Sequence, residues 1–206
     1  MDRATAYAPG STSNVGPGFD CLGIAVAGIG DRVTAVRSGG PGVRVVSVTD
    51  PRIPLEAERN TAALAASEVA RRVGAKHGLE LAIRKGLPLS GGLGGSAASA
   101  VAGAVAANAV LDGGLDRPTL LQCALEAEAV VAGRHPDNVA PSLLGGAVVV
   151  LNAGHELAPA VRQLAAMLPG WVPIAVIGLI LLAVGATYEA RLRDLGRLRA
   201  ALGKMR

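Results

Sequence analysis

Pro88-Leu-Ser-Gly-Gly-Leu-Gly-Gly-Ser-Ala-Ala98 stands between a short strand-like stretch, residues 79–84, and a long Ala- and Val-rich stretch, residues 96–111, that carries no charged side chain. Four glycines lie between Ser90 and Ser96, interrupted by Leu93 alone. Glycine lets a backbone turn with positive φ and come close to a ligand. The N-terminus of a following helix offers unpaired N–H groups and the positive end of its dipole to an anion. Strand, glycine loop and helix together are therefore the physical recipe for a phosphate cradle. Ser96, at the helix start, has a hydroxyl that can cap the helix or reach a phosphate or Mg²⁺. On the residues alone the other reading is a Gly-rich turn that permits tight helix packing. The loop lacks the Lys of a Walker A motif and does not fit GxGxxG followed by an acidic ribose ligand.

Working outward, residues 4–7, 24–26, 32–37 and 43–48 are short and Val-rich, with Gly, Pro, Asp and Ser between them, as strands separated by turns would be. Residues 60–73 predict a helix with Thr61 as its cap, Leu64, Val69 and Val73 at helical spacing, and Gly74 as its stop. The apolar helix at 96–111 should be buried around most of its circumference. Residues 118–132 predict another helix, with Pro118 in its first turn and Asp116 as a cap. Residues 135–141 read as a polar loop and 147–151 as an apolar strand. This order predicts an α+β domain with helices on one face of a largely antiparallel or mixed sheet.

The chain has 206 residues, enough for one ordinary domain plus an appendage. Its formal charge is +4, but six of its 20 Lys and Arg lie within residues 191–206, so the basic character is local. Only Tyr7, Phe19, Trp171 and Tyr188 are aromatic, and no recognition motif accompanies them, so no nucleic-acid partner is expected. Cys21 and Cys123 lack CxxC spacing and follow no secretory signal, which suits reduced thiols and a cytoplasmic location. Residues 163–188 contain no charged side chain, and a basic amphipathic stretch follows. Two readings stand for this region. One is a transmembrane helix at about residues 164–187, with Trp171 and the Arg cluster as its interfacial flanks and a single-pass membrane association; the other is a buried strand and helix of a soluble domain. The expected division is a domain at 1–152 and an atypical apolar segment with a basic helical tail at 153–206.

Two further stretches carry polar groups of binding type. Asn14-Val-Gly-Pro-Gly-Phe-Asp-Cys-Leu-Gly23 follows Ala8-Pro9-Gly10-Ser11, and its Asn14 and Asp20 are short side chains suited to an ammonium or hydroxyl, or to an Asx turn. Gly133-Arg-His-Pro-Asp-Asn-Val-Ala-Pro141 is the second. Pro88, Gly92, Leu93, Gly94, Ser96, Ala97 and Ala98 match the P-x-x-x-GLGSSAA motif of the GHMP kinases, while Ser90, Gly91 and Gly95 depart from its common form. Gly95 removes one hydroxyl from the loop. The other two stretches resemble the substrate motif and the GxHPDNVAP segment of the homoserine kinases, in the order that family has them.

The resemblance implies a GHMP-kinase N-terminal domain (ribosomal protein S5 domain 2-like), with the family's second, C-terminal domain largely missing from this chain. It implies ATP and Mg²⁺ as cofactors and transfer of a phosphoryl group to L-homoserine, giving O-phospho-L-homoserine for threonine biosynthesis. Nucleotide binding then falls to Pro88, Gly91, Gly92, Leu93, Gly94, Gly95, Ser96, Ala97 and Asn60. Ser96 and Glu128 hold the metal, Glu126 being the less fitting neighbour, and Asp20, Ser96 and Glu128 are catalytic. Substrate binding falls to Asn14, Asp20, His135, Asn138 and Arg191, the last through a Thr187-x-x-x-Arg191 spacing. On the residues alone Glu128 is equally a solvated helix face, His135 a structural histidine and Asn60 a helix cap. Two other readings are another GHMP small-molecule kinase, such as one for mevalonate, and an inactive nucleotide-binding domain fused to a membrane anchor. A homodimer is compatible with either.

Overall fold

Side chains alternate along the first strand, β1 (Arg3–Ser13): Ala6 and Ala8 are buried, whereas Arg3, Thr5 and Tyr7 face solvent. That two-residue period leaves one sheet face for a core. In the computed structural model, which describes residues 1–13 and 21–150, β1 pairs antiparallel with β2 (Leu22–Ser38). Sequence reading expected two strands within 24–37. A single long strand forms instead, because the register slips between Pro9 and Gly10 and the pairing resumes beyond it. The bulge absorbs residues whose Gly content read as a turn. Gly30 is part of that crossing: a Cβ there would stand 2.2 Å from the Ala8 carbonyl oxygen.

β3 (Val43–Val48) and β4 (Gly78–Arg84) are parallel, and α1 (Thr61–Arg72) makes the crossover between them. β4 lies antiparallel to the second half of β2, and β5 (Ala147–Val149) pairs with Leu22, Gly23 and Ile24 at its start. The strand order is β1-β2-β4-β3. One parallel pair in an otherwise antiparallel sheet makes an α+β domain.

Buried Val33, Ala35, Leu79, Leu81 and Ile83 of the sheet join one apolar cluster with α1, α2 (Gly95–Val110) and α3 (Arg117–Val131). Eleven of the sixteen residues of α2 are buried, as an apolar helix requires. Small side chains let helices approach closely, and at Gly103 a Cβ would meet the Ala62 carbonyl oxygen at 2.4 Å. Asn60, rather than Thr61, caps α1, accepting from the amides of Ala62 at 3.1 Å and Ala63 at 3.2 Å. Asp116 caps α3 as expected, accepting from the Thr119 amide at 2.9 Å.

The expected polar loop at 135–141 is instead a helix, α4 (Pro136–Leu144). Pro136 occupies the first helical position, where its missing N–H costs nothing and its fixed φ suits the helix. Pro141 inside the helix removes the donor for the Asp137 carbonyl. Gly23 of β2 packs against that same carbonyl, where a Cβ would come to 1.7 Å.

The chain divides into a unit at Met1–Ala153 and another at Gly154–Arg206. Asn14, Asp20, Arg191 and the candidate membrane helix at about 164–187 lie outside the described residues. Among the described residues no helix is long and apolar enough to cross a membrane.

Candidate active site

The loop after β4 turns into α2 through three residues with positive φ: Ser90 at 57°, Gly92 at 66° and Gly94 at 60°. Gly94 is the residue preceding α2 and has no side-chain cap, so the first N–H groups of the helix stay available to a ligand. Ser96 therefore does not cap the helix. Its hydroxyl donates instead to Glu128 Oε1 at 2.9 Å, joining α2 to α3.

Glu128 is only 1% exposed, and its Oε2 has no hydrogen-bond partner. Burial pushes its carboxyl up to about 7, the Asp137 charge adds to that, and the Ser96 hydrogen bond opposes it. A buried carboxylate oxygen without a partner, beside a hydroxyl, is an unfilled donor set of hard oxygens. Mg²⁺ is commonly held by one or two protein oxygens plus phosphates and water, so Ser96 and Glu128 fit it. Glu126 turns elsewhere and pairs with Arg72 of α1 at 2.9 Å.

The loop, Ser96 and Glu128 line an open cleft of about 620 Å³, together with Asn60, His135 and Asn138. Asn60 reaches it with a committed side chain: besides capping α1, its amide donates to the Pro54 carbonyl at 2.9 Å. His135 Nδ1 stands 3.9 Å from Glu128 Oε1, beyond hydrogen-bonding distance, and the side chain is 46% exposed. Asn138, in the first turn of α4, is held from both ends. Its Oδ1 accepts from the Ser11 hydroxyl at 3.0 Å and its Nδ2 donates to the Ser13 hydroxyl at 3.1 Å. The Ser11 amide in turn donates to the Leu93 carbonyl at 3.0 Å. The end of β1, the glycine loop and α4 thus meet at one point. Gly94 is pressed into it: a Cβ there would lie 2.1 Å from the Ser11 hydroxyl oxygen.

Sequence reasoning missed Ser11, Asp31, Lys85 and Ser99. Lys85 and Ser99 also border the cleft, and Asp31 is fully buried beneath it. Ser11 stood beside a recognised motif. Asp31 and Lys85 carried no local signal, since a single acid and a single base far apart in sequence match no pattern.

Residues 60–146 match the family described as GHMP kinases N terminal domain. The chain is 49% identical over 152 residues to a homoserine kinase of Xanthomonas campestris pv. campestris, covering 72% of this chain and 47% of the relative. It is 49% identical over 143 residues to a homoserine kinase of Methanopyrus kandleri, covering 69% and 46%. A crystal structure of homoserine kinase from Cytophaga hutchinsonii superposes with a TM-score of 0.70 at 41% identity, over 73% of this chain and 49% of that one. The chain thus spans about half the length of the curated relatives it matches. The glycine loop opening α2, Ser96 and Glu128 all lie within residues 60–146, the stretch that matches the GHMP kinases N terminal domain.

Proposed function

We propose that the chain binds ATP with Mg²⁺ at the glycine loop and serves phosphoryl transfer to the hydroxyl of L-homoserine. The observation that carries this reading is the meeting of the glycine loop, the 133–141 stretch and the end of β1 at one cleft, through Ser11, Leu93 and Asn138 on one side and Ser96 and Glu128 on the other. Homoserine kinases among the similar proteins support the choice of substrate.

Phosphoryl transfer depends on positioning and charge neutralisation more than on covalent help from the protein. The backbone from Gly92 to Ser96 presents N–H donors to the phosphates without bulky side chains in the way. Bound Mg²⁺ supplies charge neutralisation at the phosphates. Ser96 and Glu128, joined by the hydrogen bond between α2 and α3, would hold it. Asn138 is fixed by Ser11 and Ser13 at the opposite wall, where it orients a polar substrate. In this reading His135 lends its exposed ring to the substrate, Asn14 and Asp20 serve substrate binding, and Asp20 orients the reacting hydroxyl.

The test is made on the full chain, by calorimetric titration with ADP and Mg²⁺ and by ADP release from ATP with and without L-homoserine. The reading expects nucleotide binding, homoserine-dependent release, and a loss of roughly 10²-fold in turnover for Ser96→Ala. Nucleotide binding with release indifferent to homoserine would sink the substrate assignment. No nucleotide binding at all would sink the whole reading.

A further inference from the structure

Lys85 lies outside every motif that points to the site, yet its ammonium ends at the foot of α2. The side chain is 6% exposed and is fully engaged. It donates to the Asp31 carboxylate, to the Gly95 carbonyl at 2.9 Å and to the Ser99 hydroxyl at 2.9 Å. Asp31, on β2, has no exposed surface. Its Oδ1 accepts from the backbone amides of Gly86 at 3.0 Å and Leu87 at 3.2 Å, and its Oδ2 accepts from Lys85 and from the Ser99 hydroxyl at 2.7 Å.

One buried carboxylate therefore fastens both feet of the glycine loop. The entry is held through the amides of Gly86 and Leu87. The exit is held through Ser99 and, by way of Lys85, through the carbonyl of Gly95. Between these feet the chain is rich in glycine, which loses more conformational freedom on ordering than any other residue. Stability alone is a poor account of the pair, because apolar replacement of a buried ion pair is often neutral or stabilising.

We propose that Asp31 and Lys85 are positioning residues for nucleotide binding. The pair fixes the span between Leu87 and Gly95 and so aims the N–H groups at the start of α2 toward the phosphates. The inference rests on the reading of the loop as an ATP-phosphate site and adds what holds that loop in its binding shape.

Three full-length proteins test it: the unsubstituted chain, Lys85→Met, and Lys85→Met combined with Asp31→Asn. Each is titrated with ADP and Mg²⁺ well below its melting temperature. Lys85→Met alone leaves a buried carboxylate without its cation and should melt early. The double variant restores charge balance, and the amide at position 31 still accepts from Gly86 and Leu87. It should melt near the unsubstituted chain yet bind ADP about tenfold or more weakly, since the Gly95 carbonyl has lost its donor and small misplacements cost much. A folded double variant that binds ADP as tightly as the unsubstituted chain overturns the inference. So do variants that no longer melt cooperatively, which would make the pair a folding element. Failure of the unsubstituted chain to bind ADP overturns the phosphate-site reading first, and the inference with it.

Discussion

Glu128 shows how a single side chain can work against the stability of the empty domain. Its carboxyl is raised from 4.5 to about 7, chiefly by burial. The folded form therefore holds a proton that the unfolded form has already released, and between those two values stability falls as pH rises. It is fully present below about 4.5 and lost by about 7, an effect on the order of 3 kcal/mol. Glu128→Gln should remove this slope and raise stability at pH 8 while leaving it little changed at pH 4, as read from urea midpoints at the two values. The same variant should lose the Mg²⁺-dependent tightening of nucleotide, because metal binding needs the ionised carboxylate. A Gln variant less stable than the parent at pH 8 would contradict the burial account. Gly95 offers the opposite case. A Cβ there meets Lys85 Nζ at 3.5 Å and Leu87 Cβ at 3.8 Å, both ordinary contacts, so the hydroxyl that the family's motif has at this position can be accommodated. Gly95→Ser should fold as before and bind ADP several-fold more tightly, the worth of about one net hydrogen bond. Weaker binding with an unchanged melting temperature would show that the hydroxyl blocks the cradle.

Helices α1 and α2 set the position of the loop, since both begin at the cleft and cross where Gly103 faces Ala62. Thr61 Oγ1 donates to the Ser96 carbonyl at 3.2 Å, tying the two starts together. Gly103→Ala adds a methyl group 2.4 Å from the Ala62 carbonyl oxygen, a backbone atom that cannot rotate away. Overpacking of this kind should outweigh the helix propensity gained and cost about 2 kcal/mol, measured by chemical denaturation. A more stable variant would mean that the crossing has slack. The helices were the legible part of the fold. An apolar, charge-free run announced α2, and Asp116 and Pro118 announced the start of α3. Two elements were hidden for opposite reasons. Gly28 and Gly30 looked like punctuation, but a long, bulged strand passes through them and buries Asp31 in its middle. Pro136, Asp137 and Asn138 looked like a loop, although proline at a first helical position starts a helix rather than breaking one. Composition cannot separate these cases, because the deciding contact, Gly23 against the Asp137 carbonyl, comes from a distant strand.

At the scale of the molecule the glycine loop and the 133–141 stretch were readable separately, and only the topology brings them, with the end of β1, to one cleft. β1 carries Ser11 to the loop, α4 carries Asn138 to Ser11, and α3 carries Glu128 to Ser96. A ligand in the cleft then touches elements from nearly the whole described domain, and one that binds only the folded form must stabilise it by mass action. At a hundredfold excess over its Kd the gain is about 2.7 kcal/mol. For a chain of this size that raises the melting temperature by about 5–10 °C. Glu128 gives the rise a direction in pH. Without ligand the melting temperature should decline from pH 5 to pH 8, as the carboxyl is forced to ionise in a dry site. With Mg²⁺ and ADP the ionised carboxylate has a partner, so the ligand-induced rise should be larger at pH 8 than at pH 6. Chelating Mg²⁺ with EDTA should erase that difference while leaving the unliganded decline in place. A ligand-induced rise equal at both pH values would remove Glu128 from the metal site, yet leave the glycine loop as the place where the nucleotide binds.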